Sequence, residues 1–122
     1  MRMWMVNPRL MCRKHLLGEH VELHMFVAAI RRGLNLSGYL QNRLLEPHNI
    51  SARHDELVRE MERRGYQHRS PLPEFNPVRC GRISRRANLT ELVRRCKLCR
   101  RIQQNGGRKA ASNSSRSKRS KT

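Results

Sequence analysis

Apolar residues along this chain recur at helical spacing and not at the two-residue alternation of strands. Between about Leu10 or Met11 and Arg32, the residues Leu16, Leu23, Val27 and Ile30 draw one stripe along a helix, and Gly33 supplies its stop. The preceding MRMWMVNP carries Trp4, Val6 and three methionines before Pro8 interrupts it, so this short segment is expected to lie pinned against the body. LNLSGYLQNRLLEPHN is broken at Gly38 and ended by Pro47; it reads as a loop and a short helix that offers Tyr39, Leu40, Leu44 and Leu45 for packing. SARHDELVREMERRGY is the clearest element, with Ser51 as the expected cap, Asp55 and Glu56 near the positive end, Leu57, Val58 and Met61 inward, and Gly65 as terminator. After the proline-punctuated loop SPLPEFNP, a third helix is predicted from Asn88 or Leu89 to about Arg101, with Leu89, Leu92, Val93 and Cys96 facing in. The pattern therefore predicts an all-α fold: a single small domain over residues 1–104, built from about three main helices and long loops. From Asn105 onward no aromatic or branched apolar residue occurs, and residues 105–122 read as a disordered basic tail.

Charge narrows the partners. Lys and Arg number 27 against nine Asp and Glu, a formal net charge of +18 in 122 residues. Such a balance attracts polyanions, so the expected partner is nucleic acid, with the tail adding nonspecific association. No run approaches the length of a membrane-spanning helix and no secretory signal is present, so a cytoplasmic, DNA-associated monomer is expected, with no membrane partner. The cysteines are Cys12, Cys80, Cys96 and Cys99. Cys96 and Cys99 have the CxxC spacing, but one such pair with scattered further cysteines is half of a metal signature, and the thiols are read as free. Arginines around Cys96 make it oxidation-prone.

HLLGEHVELHMF, residues 15–26, sets three histidines and two glutamates in an apolar framework. On a helix His15, Glu19 and Glu22 share one side, next to the apolar stripe. Such an acidic side either meets water and the abundant arginines, or forms a site. His20 and His24 lie opposite Glu22, and His48, His54 and His68 offer to join them as a metal-dependent nuclease; against that reading, there is no HExxH motif and no carboxylate at metal-like spacing.

MRMW, HLLGEHVELHMFVAAIRRG and HDELVREMERRGY together resemble the phage and viral pyrimidine-dimer DNA glycosylases, the endonuclease V class of ultraviolet repair, over roughly residues 1 to 100. The resemblance implies a small all-helical enzyme that uses the α-amine of the first residue as nucleophile, helped by a glutamate of the first long helix, and that needs no metal or other cofactor. It sets the family's His and Glu pair on His15 and Glu19, its catalytic glutamate on Glu22 and its nucleophilic terminus on Met1. Initiator methionine is removed when the second residue is small; with Arg2 second, Met1 is expected to remain. α-Amines as a class ionise near 8, about two units below lysine, which leaves a usable neutral fraction at neutral pH. Catalysis would be covalent, through a Schiff base with the sugar of double-stranded DNA and strand cleavage at an abasic site. Arg2 would neutralise a phosphate, His15 would contact phosphate or Glu19, and Arg31, Arg32, Arg79, Arg82, Arg85 and Arg86 would grip the backbone of a distorted duplex.

Three departures qualify the substrate. Val21 and Met25 stand where known members flank the catalytic glutamate with arginines. Asn88 and Leu92 fall near basic positions of the family's late helix. A Ser/Arg/Lys tail replaces the family's aromatic one. The resemblance therefore supports the active-site chemistry more strongly than recognition of a cyclobutane dimer, and a different damaged or modified base is the alternative substrate. Without the resemblance, composition alone supports a non-catalytic nucleic-acid-binding module at least as well as an enzyme.

Overall fold

The computed structural model describes residues 1–68 and 70–112, with residues 106–112 described for their backbone alone. The fold is all-α, as predicted, and no strand occurs among the described residues. α1 (Arg13–Arg31) begins later than its apolar pattern does. Pro8 opens a 3-10 turn (Pro8–Leu10), Asn7 Oδ1 accepts from the Arg9 N–H, and Met11 and Cys12 then stay extended, so the helix starts only after Cys12. At its far end Gly33 takes φ +70°, the left-handed conformation expected of a glycine stop.

α2 (Ser37–Gln41) is the predicted short helix. A second 3-10 turn (Pro47–Asn49) runs straight into α3 (Ile50–Arg63), which places Ser51 within the first turn. Ser51 is thus not the cap that the sequence suggested. The cap position falls to Asn49, whose side chain instead donates to Glu46 Oε1 at 2.7 Å. Gly65 closes α3 at φ +86°.

The predicted third helix is two helices. α4 (Arg85–Arg95) is capped by Ser84, whose Oγ accepts from the Ala87 N–H at 3.1 Å. Cys96 is extended (φ -120°, ψ 112°), and α5 (Lys97–Ser112) restarts beyond it. α5 continues past Asn105, where the expected domain boundary lay; residues 113–122 of the expected tail lie outside the described residues.

The core lies where α1 and α3 meet, with Leu16, Leu23, Phe26 and Val27 against Ile50, Leu57 and Met61. Ile30, Val58, Leu89 and Val93 are only half-buried. Met3, Trp4, Met5 and Val6 pack into the same core, so the N-terminal segment is part of the body, as expected. Each such side chain contributes roughly 1.5–3 kcal/mol on burial. Gly81 (φ +81°) lets the incoming loop pass close to this body, because a Cβ there would sit 2.3 Å from the Leu45 carbonyl oxygen. Beyond that glycine the Ile83 N–H donates to Glu46 Oε2 at 2.6 Å, which ties the start of α4 to the chain leading into α3.

One ion pair crosses the apolar core. Arg53 of α3 meets Glu19 of α1 in a two-pronged bond, Nε to Oε2 and Nη2 to Oε1, each 2.7 Å, and both side chains are wholly buried. Arg53 Nη1 also donates to the Val6 carbonyl at 2.7 Å and to Glu56 at 3.0 Å. Removing one member strands the other charge in the core. Arg53→Leu is therefore expected to cost about 3–5 kcal/mol, measured by denaturant unfolding of the variant beside the parent chain; a loss under about 1 kcal/mol would mean that the pair is not the clamp described.

Candidate active site

The N-terminal seven residues form no helix or strand, and specific partners hold the backbone of this segment at several points. Met3 N–H donates to the Leu44 carbonyl at 2.8 Å. Asn88 of α4 donates through Nδ2 to the carbonyls of Met3 (3.2 Å) and Trp4 (2.8 Å). Met5 N–H points to Glu19 Oε2 at 3.5 Å, and the Met5 carbonyl accepts from Arg85 Nη1 at 2.9 Å. Met5 itself has φ 59°, a left-handed conformation that costs a non-glycine residue about 1–3 kcal/mol and persists only under such constraint.

This fastening brings the chain terminus to Glu22. The half-buried Glu22 side chain accepts the Arg2 backbone N–H through Oε1 at 2.8 Å, so a carboxylate of α1 sits one residue from the Met1 amine. Met1 is 37% exposed and open to solvent. Val21 and Met25, 55% and 48% exposed, flank Glu22 on α1 as bare apolar surface.

Arg2 turns inward. Its Nη2 donates to Asn88 Oδ1 at 2.7 Å and its guanidinium lies 3.9 Å from the Trp4 ring centroid, a cation–π stack. Arg95 approaches the same ring at 6.0 Å. Burial first, and then Arg95, lower Arg2 from the ordinary arginine value, and Glu91, Glu19 and Glu22 oppose the shift. Arg2 Nε is buried without a hydrogen-bond partner. The cation is thus held against the site by Trp4 and Asn88.

A family model described as pyrimidine dimer DNA glycosylase matches residues 1–74. The chain belongs to the pyrimidine dimer DNA glycosylase family. That match covers α1, α3 and the N-terminal segment, and ends short of the roughly 100 residues over which the sequence resemblance extends, so α4 and α5 lie beyond it. No curated protein and no solved structure matches the chain. Family membership makes this a DNA-repair glycosylase acting on DNA. Among the described residues no helix is long and apolar enough to cross a membrane.

The remaining site residues expected from sequence fall into separate places. Arg31 and Arg32 are exposed at the C-terminal end of α1, Arg79 and Arg82 in the loop before α4, and Arg85 and Arg86 in the first turn of α4. His15 lies on the Trp4 side of this site: burial first, and then Lys14 and Arg95, lower it from the ordinary histidine value, and Glu22 opposes the shift. Its ring stands edge-on to Trp4 at 5.9 Å and its Nδ1 lies 3.3 Å from Cys12 Sγ. Glu19 is the structural partner of Arg53 and is buried. Sequence reasoning missed Asn88, Trp4 and Arg95 as parts of this site. Asn88 carried a signal, as a polar residue at an inward position of a predicted helix.

His20, His24, His54 and His68 do converge, with ring centroids 4.8–5.3 Å apart, whereas His48 takes no part in these ring contacts. Nε2 of His20 and of His24 is buried without a hydrogen-bond partner, and His54 and His68 both reach the Ser70 carbonyl oxygen. Burial, and then His54, His24 and His68, push His20 down to about 4. His54 is lowered by burial as well, against its hydrogen bond to Ser70 and the nearby Asp55. At neutral pH His20 is therefore uncharged, and one ring nitrogen each of His20, His54 and His68 lies within 4.8 Å of the others.

Two outcomes are expected. Asn88→Leu removes three hydrogen bonds and leaves the Met3 and Trp4 carbonyls unpaired, so it should cost about 1–3 kcal/mol in denaturant unfolding; unchanged stability would mean that the N-terminal segment is held without it. His20 is neutral in the fold and takes a proton on unfolding once pH drops below about 6.5, so the unfolded chain binds more protons and stability is lost as pH falls from about 6.5 toward 4. Thermal melts at pH 7, 6 and 5 should show a midpoint falling with pH, and a shallower fall in His20→Gln; equal slopes would show that His20 is not buried neutral.

Proposed function

We propose that this chain excises a damaged pyrimidine, a pyrimidine dimer in the first instance, from double-stranded DNA and then cuts the strand as an abasic-site lyase. The Met1 α-amine is the nucleophile and Glu22 its partner. The observation that carries this reading is the 2.8 Å bond from the Arg2 N–H to Glu22 Oε1, which sets a carboxylate beside the residue bearing the amine.

The chemistry follows from those two groups. The neutral amine attacks C1′, the bond from C1′ to the base breaks, and the base leaves with the electron pair and takes up a proton. Loss of the amine proton and opening of the sugar ring leave an iminium between Met1 and C1′. Glu22 lies where that cation develops and stabilises it. Removal of a C2′ proton then expels the 3′ phosphate by β-elimination, and water releases the amine. No step needs a metal or other cofactor.

Binding is assigned to the exposed arginines. Arg31, Arg32, Arg79, Arg82, Arg85 and Arg86 neutralise phosphates of a monomer's duplex target, within a chain of net charge +18. Arg2 contributes positive charge at the reacting centre from its stacked position on Trp4. Val21 and Met25 supply apolar contact beside Glu22 suited to unstacked bases rather than to phosphates. The net charge also favours a second reading, a binding module without catalysis.

Borohydride trapping of untagged protein on a duplex with one abasic site separates the two. A covalent adduct mapped to the Met1 amine is expected, with turnover in Glu22→Gln reduced by about 10²-fold or more while duplex binding persists. Absence of an adduct on a duplex that the protein binds would overturn the amine mechanism and put the binding module first.

A further inference from the structure

We infer that Cys12, His15, Cys96 and Cys99 form a structural zinc site that fastens α5 to the start of α1. The Cys12, Cys96 and Cys99 Sγ atoms and a His15 ring nitrogen all lie within 4.8 Å of one another. A tetrahedral zinc with bonds of about 2.3 Å to sulfur and about 2.05 Å to nitrogen spaces its ligands about 3.8 Å apart for two sulfurs and about 3.6 Å for sulfur and nitrogen. Here Cys12 Sγ is 3.8 Å from Cys96 Sγ, and His15 Nδ1 is 3.3 Å from Cys12 Sγ and 3.8 Å from Cys99 Sγ. These three spacings lie within about 0.3 Å of the tetrahedral values, and the remaining pairs stay within 4.8 Å.

The backbone supports the same assignment. Cys12 is the cap residue of α1 and His15 lies three residues on; Cys96 precedes the first residue of α5 and Cys99 lies three residues on. The two halves are thus one device used twice, a ligand at the mouth of a helix and another one turn inward. The sequence shows it as Cys-x-x-His paired with Cys-x-x-Cys, the second half of the signature that the CxxC alone lacked. Helix N-termini favour thiolates. Backbone N–H groups also point at the sulfurs, from Cys12 to Cys99 Sγ at 3.2 Å and from Cys99 to Cys96 Sγ at 3.4 Å, as the outer shell of a thiolate site requires.

The chemistry of the set is selective. Three thiolates and one imidazole suit a closed four-coordinate zinc without an open position for substrate, and hence a structural role. An iron–sulfur cluster would distribute its cysteines over separate metal atoms and needs a wider frame. Zinc with three thiolates carries a net charge of -1, which the cations next to it in sequence, Arg13, Lys14, Arg95 and Lys97, accommodate. The site also meets a structural need: α5 lies outside the family match, and among its residues with described side chains only Ile102, half-buried, packs on the core besides Cys99. This assignment takes His15 out of the DNA contacts. Cys80 is half-buried and outside the cluster.

The test is metal analysis of full-length protein purified under reducing conditions. About one zinc per chain is expected, and cobalt exchanged for it should give the visible bands and sulfur charge-transfer absorption of a tetrahedral thiolate complex. Chelation should expose three additional thiols to a thiol reagent and lower the melting midpoint by more than about 10 °C. Cys80→Ser should keep the metal, and Cys96→Ser and His15→Ala should lose it or bind it far more weakly. Metal-free protein that gives no thiolate–cobalt spectrum, or a Cys12–Cys96 disulfide in protein kept reduced, would overturn the proposal. So would zinc retained in Cys96→Ser but lost in His54→Ala, which would place the ion on the histidine cluster. Because metal content is read on the parent chain, failure of a variant to fold leaves the test intact.

Discussion

Arg53 spends a buried positive charge to hold three pieces of chain in register. Its guanidinium satisfies both oxygens of Glu19 on α1 and, in the same reach, the Val6 carbonyl of the N-terminal segment. A wholly buried pair is tolerable only because both charges are fully engaged, and its geometry admits few alternatives. Most of the molecule depends on this fixture. It sets α3 against α1, and it anchors the far end of the segment whose near end meets Glu22.

The N-terminal segment behaves like a strand without a sheet. Leu44, Asn88, Glu19, Arg85 and Arg53 supply from loops and side chains the hydrogen bonds that a neighbouring strand would provide. Backbone groups in a dry interior have to be satisfied one by one, so this placement is specific. The left-handed Met5 shows the strain that the arrangement absorbs. A terminus held so firmly keeps its first two residues beside Glu22 at little further entropic cost.

The two carboxylates of α1 divide their work by depth. Glu19 and Glu22 are three residues apart and so share a helix side, yet Glu19 is 1% exposed and neutralised by Arg53, while Glu22 is only half-buried and takes a backbone N–H next to the open Met1. The C-terminal helices complete this arrangement from beyond the family match. α4 brings Asn88 across to Arg2, Met3 and Trp4, and the break at Cys96 turns α5 back onto Cys12 and His15.

Helical class, the stripe of α1, the glycine stops at Gly33 and Gly65 and the position of Glu22 were legible in the sequence, because periodicity, φ requirements and spacing along one helix are local properties. Family membership was legible for the same reason, in residues that cluster on two helices and the terminus. Boundaries were less so: Ser51 resembles a cap, but the 3-10 turn at Pro47 starts the helix before it, and Cys96 splits a helix whose apolar pattern runs through it. What only the tertiary structure decided is which distant groups meet. Arg53 among the many arginines, Asn88 beneath Arg2, four histidines in one packed cluster and Cys12 with His15 against Cys96 with Cys99 bring together groups up to 86 residues apart in the chain. No local pattern records such contacts; they arise when helices and loops pack and each buried polar atom must find a partner.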